Sequence, residues 1–144
     1  MPLRVTCLAC GTANRVPEGK LSSGPKCGVC GEKLADGRVR EIDPKAFAAA
    51  QRDTLPLIVD FWAPWCGPCR MMAPEFAAAA ASLAPDFRLA KLNTQDHPQV
   101  AQQLGIRGIP MLGMFRGGRE VARQAGAMRR GAIESWARQH LVTG

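Results

Sequence analysis

The sequence predicts an α/β domain, a mixed central sheet flanked by helices, preceded by a small four-cysteine module. Three observations carry this prediction. Helix-like and strand-like segments alternate from residue 43 onward, and residues 57–62, Leu-Ile-Val-Asp-Phe-Trp, form a near-continuous apolar run of the kind that is buried on both faces of a sheet. Four of the six cysteines fall in two Cys-x2-Cys pairs within the first 30 residues. The 144 residues allow one ordinary domain plus a small appendage, not two full domains. A hydrophobic share of 47% with 22% charged residues excludes a generally disordered chain.

Residues 1–36 are dominated by cysteine, glycine and turn formers, with no long apolar periodicity. A segment this small does not bury enough surface to hold itself together without a metal or disulfides. The expected division is therefore a four-cysteine module over 1–36 and an α/β domain over 37–144, with the linker in residues 36–42. Asp43-Pro44 reads as a helix N-cap followed by proline in the first turn. After the strand at 57–62, residues 67–83 are rich in Ala and Met and predict a helix, kinked at Pro74. Residues 87–93 predict a second strand, 99–104 a short helix, and 111–115 a strand turning at Gly117-Gly118 into a partner over 120–124. Ile133, Trp136, Ala137 and Leu141 have helical spacing within 129–141.

No apolar stretch is long enough to span a bilayer, and the first residues lack the apolar run of a secretory signal. A cytoplasmic protein with no membrane partner is expected. In that reducing compartment six cysteines read as metal ligands or redox catalysts rather than permanent staples. The net charge of +7 divides as +3 over residues 1–42, 0 over 43–115 and +4 over 116–144. Zinc held by four thiolates would add about −2 to the first segment and nearly cancel its excess. The C-terminal basic excess reads either as a solvated surface or as a preference for acidic partners or nucleic acid.

Trp65-Cys66-Gly67-Pro68-Cys69 lies where the first buried strand ends and a helix begins. Only a thiolate attacks a disulfide, and the positive end of a helix favours the anion, so Cys66 is the expected nucleophile. Cys69 lies one helical turn on, where the two sulfurs can approach. Gly67 permits close backbone approach, and Pro68 sets φ where its missing N–H costs little. Two cysteines at this spacing could also be half a metal site or plain core residues; the strand-to-helix setting favours the redox pair. Asp60, inside the apolar strand, should have a raised pKa that would let it exchange a proton near neutral pH, but from the residues alone an ion pair or a strand-edge carboxylate is the leading reading.

Residues 57–127 resemble thioredoxin. The likeness is carried by Val59-Asp60-Phe61-Trp62-Ala63-Pro64-Trp65-Cys66-Gly67-Pro68-Cys69, by Ala90-Lys91-Leu92-Asn93 and by Gly105-Ile106-Arg107-Gly108-Ile109-Pro110, and it extends from about Asp43 to the end. The resemblance implies the thioredoxin fold and a protein-disulfide reductase working through Cys66 and Cys69. It further implies that Asp60 assists proton transfer for Cys69 with Lys91 nearby, and that Pro110 is cis and faces the dithiol. Substrate segments would meet Trp65, Gly67, Pro68, Ile109, Pro110 and Gly126, with Ile109 offering backbone and Trp62 helping to shape the site. The resemblance also implies that NADPH, through thioredoxin reductase, supplies the electrons; the chain has no dinucleotide-binding Gly-rich motif of its own. Disulfide-containing proteins are the expected substrates, within electron transport and cell redox homeostasis, and a monomer is expected. Met111 departs from the family's threonine, and Arg70 replaces the commoner lysine while keeping the charge.

Cys7-x2-Cys10 and Cys27-x2-Cys30, sixteen residues apart, have the spacing of a tetrahedral zinc site. Gly11, Gly28 and Gly31 supply the turns each pair needs. One structural zinc ion is the leading reading, ahead of disulfides or a redox switch that releases zinc. A zinc ribbon before a thioredoxin domain resembles the bacterial thioredoxin 2 type, and the module is expected to be structural or partner-selecting. Modest excess charge and no aromatic residue before Phe47 argue against nucleic acid. The competing reading is a zinc-dependent binding protein that uses the thioredoxin domain as a scaffold. His97 and His140 read as surface residues, residues 77–81 as helix-forming filler, and Met71, Met72 and Met114 as core.

Overall fold

The computed structural model describes residues 2–143. Strands β1 (Leu3–Thr6) and β2 (Ala13–Val16) form a small antiparallel sheet, followed by a 3-10 turn over Glu18–Ser23. The larger part follows as β3 (Arg40–Glu41), α1 (Pro44–Ala50), β4 (Leu57–Trp62), α2 (Gly67–Leu83), β5 (Arg88–Asn93), α3 (Pro98–Leu104), β6 (Met111–Arg116), β7 (Arg119–Ala125) and α4 (Arg130–Thr143). Its five strands lie in the order β3-β5-β4-β6-β7, with β5 parallel to both β3 and β4, and β6 antiparallel to both β4 and β7.

Local signals explain the elements. The Asp43 carboxylate accepts the Ala46 N–H at 2.8 Å and caps α1, with Pro44 in the first turn. Central strand β4 sends alternate side chains to two cores. Ile58 joins the cluster under α2 and α4 with Phe76, Leu112, Ile133 and Trp136, while Leu57, Val59 and Phe61 join the cluster under α1 and α3 with Phe47, Leu92 and Val100. Phe47, Phe61 and Phe115 meet edge to face, with centroids 4.9 to 6.3 Å apart. Gly113 is required there, because a Cβ would lie 2.8 Å from the Phe115 ring. Helix α2 runs through Pro74 as a single element. Both Ala84-Pro85 and Ile109-Pro110 are cis, the second as the resemblance implies and the first with no sequence signal.

Residues 40–41, read from sequence as linker, are an edge strand, and Ile42 is buried. A two-residue parallel strand has no periodicity to detect; its partner β5 defines it. Strands β1 and β2 were equally illegible, being four residues each in a turn-rich segment. Met72 and Met114 are core as expected, whereas Met71 is 76% exposed, one residue around the helix from the buried face.

The N-terminal module is tied to the larger part by a buried ionic network. Asp53, fully buried, accepts the Thr6 N–H at 2.8 Å, the Thr6 hydroxyl at 2.7 Å and an Arg88 Nη at 2.6 Å. Arg88, also buried, donates to the Thr6 carbonyl at 2.6 Å, and Arg4 adds a longer contact to Asp53 at 3.2 Å. Leu55 packs beside Val5, Val16 and Leu34 in the module's own core. Removing Asp53 alone strands a buried guanidinium. Asp53→Ala should therefore lower the unfolding free energy by about 3–5 kcal/mol, read from the urea midpoint; a loss below about 1 kcal/mol would show that the network contributes little.

Candidate functional site

The turn from β4 to α2 places the redox pair. Cys66 is the N-cap of α2, and its sulfur accepts the Cys69 N–H at 3.2 Å. The two cysteines are joined as a disulfide, with Cα atoms 5.2 Å apart, and both are almost wholly buried. Arg70 donates to the Pro64 carbonyl at 2.7 Å and pins the preceding turn. Trp65 stands 69% exposed beside the pair, and exposed Met71 follows on the same helix. From the opposite side, the carbonyl of Ile109 lies 3.8 Å from the Cys66 sulfur, immediately before cis-Pro110. Gly126, at φ 93°, donates its N–H to the Pro110 carbonyl at 2.9 Å and so holds that loop. The structure thus brings Trp65, Cys66, Gly67, Pro68, Cys69, Ile109, Pro110 and Gly126 to one mouth of the sheet.

Behind the disulfide lies a cavity lined by Asp60, Trp62, Cys69, Arg70, Ala73 and Lys91. Asp60 is 2% exposed, and its Oδ1 has no hydrogen-bond partner among the described residues. Burial pushes its carboxyl up to about 7; Lys91 opposes the rise and Glu41 adds to it. Lys91 is Asp60's register partner on β5, and its ammonium lies 4.5 Å from the centroid of the Trp62 ring. Glu41 accepts the Trp62 indole N–H at 3.1 Å. Sequence reasoning missed Glu41. It stands in what read as linker, and only the β3–β5 register brings it here.

In the N-terminal module the sulfurs of Cys7, Cys10, Cys27 and Cys30 all lie within 4.8 Å of one another. The Cys7–Cys30 and Cys10–Cys27 separations are 3.5 and 3.7 Å, against edges of about 3.8 Å for a tetrahedron of sulfurs around zinc. The two knuckles are built alike. Gly11 donates to the Cys7 carbonyl at 2.8 Å and Gly31 to the Cys27 carbonyl at 3.0 Å, and both glycines take the left-handed conformation. The N–H groups of Cys30 and Val29, with Asn14, draw the Cys27 thiol down to about 6. Cys30 is pushed up to about 12 despite the favouring Glu32 N–H, because the sulfurs of Cys7, Cys10 and Cys27 crowd it. Four thiolates this close need a cation, and the donor set suits zinc.

Residues 38–139 match the thioredoxin family, and residues 6–32 match the thioredoxin 2 N-terminal zinc ribbon. The chain belongs to the thioredoxin family. It is 38% identical over 138 residues to Thioredoxin C-3 of Corynebacterium nephridii, covering 95% of this chain and 94% of that one. Thioredoxin 1 of Nostoc sp. is 45% identical over 87 residues, covering 60% of this chain and 81% of its own. Among solved structures, the thioredoxin of Malassezia sympodialis superposes with a TM-score of 0.68 at 28% identity, over 74% of this chain and 94% of its own. The fold is the thioredoxin fold, and the protein is a thiol–disulfide oxidoreductase carrying its dithiol at Cys66 and Cys69. No helix among the described residues is long and apolar enough to cross a membrane.

Burial of the Asp60 carboxyl makes the stability of the fold depend on pH. Folding raises this pKa, so the stabilising contribution is full below the unfolded value near 4 and is lost as pH rises through about 7. Asp60→Asn should exceed the parent protein in stability at about pH 8 by up to about 4 kcal/mol, with the difference shrinking toward pH 4. Urea midpoints across that range check it, and a difference independent of pH would exclude the titration. At the metal cluster, Cys27→Ser should abolish retention of one zinc ion per chain and leave the backbone amides of the N-terminal module unprotected from exchange. Full protection without metal would show that the module needs no ion.

Proposed function

We propose that this thioredoxin reduces disulfides in partner proteins with Cys66 as nucleophile and Cys69 as resolving thiol. The observation that carries the reading is the Cys66 sulfur at the N-cap of α2, beside the Ile109 carbonyl and bonded to Cys69. In the reduced protein the Cys69 N–H and the end of α2 stabilise a Cys66 thiolate. That thiolate attacks one sulfur of the substrate disulfide, forming a mixed disulfide and releasing the first substrate thiolate. Asp60, whose carboxyl is pushed up to about 7 and is therefore partly ionised at neutral pH, takes the Cys69 proton through the cavity they share. The Cys69 thiolate then attacks the Cys66 sulfur, closes the Cys66–Cys69 disulfide and expels the second substrate sulfur as a thiolate, which takes a proton from water. Two electrons pass to the substrate.

NADPH, acting through thioredoxin reductase, would restore the dithiol. An extended substrate segment would lie across Trp65, Gly67, Pro68, Ile109, Pro110 and Gly126, pairing with the Ile109 backbone, while Lys91 moderates the charge on Asp60. The module over 1–36 would hold one structural zinc ion through Cys7, Cys10, Cys27 and Cys30; the ion supplies folding energy that so small a core lacks. The thioredoxin domain over 37–144 would work as a cytoplasmic monomer.

In an insulin-reduction assay with thioredoxin reductase and NADPH, Cys66→Ser should lose at least about 1,000-fold of the rate, since no other thiol is placed to attack. Cys69→Ser should accumulate the mixed disulfide, seen as a covalent adduct by mass spectrometry. Full turnover by Cys66→Ser would overturn the mechanism. Partner binding untouched by Cys66→Ser, with no turnover by the parent protein, would instead support the scaffold reading.

A further inference from the structure

Strand β5 lies between β3 and β4, and its register sets Glu41 opposite Lys91 on one side and Asp60 opposite Lys91 on the other. Residues directly opposite in a ladder point to the same face. Three strands therefore present a single row, carboxylate, ammonium, carboxylate, beneath the redox pair. The Trp62 indole closes the row. Its N–H donates to Glu41 at 3.1 Å, while its face meets the Lys91 ammonium at 4.5 Å. Asp60 Oδ1 receives no hydrogen bond from Lys91 or any other described group. One cation thus serves two carboxylates, and it stands over the indole that Glu41 anchors.

We propose that Glu41 is a positioning residue for the redox site, fixing the Trp62 indole and drawing the Lys91 ammonium toward itself and away from Asp60. The proposal rests on the reading of Asp60 as proton acceptor for Cys69. The groups facing Asp60 are Lys91 from β5, Cys69 and Arg70 from α2, and Glu41 from β3 across the lysine. Those facing Glu41 are Trp62, Lys91, Asp96 and His97, with Asp43 and Lys45 along the groove toward Cys10. Partial burial raises the Glu41 carboxyl, while the Trp62 hydrogen bond and Lys91 lower it. Glu41 is exposed to water whereas Asp60 is 2% exposed, so the Glu41 anion is the better solvated of the two and claims the lysine. Its charge then disfavours a second anion at Asp60, and both effects keep the proton on Asp60 to higher pH.

The test uses the full zinc-loaded chain in its oxidised state and follows the Asp60 carboxyl by NMR titration in the parent, Glu41→Gln, Glu41→Leu and Glu120→Gln. Glu41→Gln keeps an acceptor for the indole but removes the charge. It should lower the Asp60 midpoint by about half a pH unit or more, and the pH profile of mixed-disulfide resolution should move down with it. Glu41→Leu should do the same and also change the Trp62 near-ultraviolet dichroism, because the indole loses its anchor. Glu120→Gln, which removes a carboxylate paired with Arg123 on β7, should move neither. An Asp60 midpoint in Glu41→Gln equal to that in Glu120→Gln would overturn the proposal. If instead Asp60→Asn resolved mixed disulfides at the parent rate across the whole pH range, the proton-acceptor reading would fall, whatever Glu41 does to the Asp60 titration.

Discussion

The structure depends on one junction, where the buried central strand β4 runs into the N-terminus of α2 with a sulfur as the capping atom. Ser, Thr, Asp and Asn usually cap helices by offering an oxygen to the first free N–H groups. Here Cys66 offers sulfur to the Cys69 N–H, so the group that satisfies the helix is also the group that does the chemistry. The geometry holds because both flanking elements are immobilised. Strand β4 has neighbours on both edges and a packed core on each face, and α2 is seated by Met72, Phe76, Ala79, Ala80 and Leu83. A redox pair on a freer loop would lose the alignment of sulfur, helix end and Ile109 carbonyl.

Polar groups in the buried layers fall into two kinds with different consequences. Asp53 is saturated with hydrogen bonds from Thr6, Arg4 and Arg88, and it works as a fastener between the N-terminal module and the thioredoxin domain. Asp60 is as deeply buried yet has an oxygen without a partner, and its carboxyl is displaced to about 7. A saturated carboxylate is structural, whereas an undersatisfied one beside a cavity and a thiol is placed to gain and lose a proton. The same sheet row that holds Asp60 also holds Lys91 and Glu41, so the local field is set by three strands rather than by one motif.

The four-cysteine module solves the problem of its own size twice. Its core, with Val5, Val16, Leu21 and Leu34 at the centre, is too small to stand alone, and the crowded thiols supply a metal-binding cage. The module also borrows Leu55, Asp53 and Arg88 from the larger part. These contacts are longer in sequence than any spacing pattern reveals, reaching 82 residues between Thr6 and Arg88.

From residue 43 onward the element order was legible in the chain alone, as were the redox pair, the zinc-ligand spacing and the buried place of Asp60, because each is written in local periodicity or in residues a few positions apart. The cis bond before Pro110 was legible through resemblance alone, and the one before Pro85 had no signal. Contacts between distant elements make residues 40–41 a strand, turn Met71 to solvent, join the two parts through Asp53 and Arg88, and let Glu41 share Lys91 with Asp60. The physical reason is common to all four. Each is fixed by register or packing between elements distant in the chain, and neither a two-residue strand nor a single charged side chain carries enough local pattern to announce its partner.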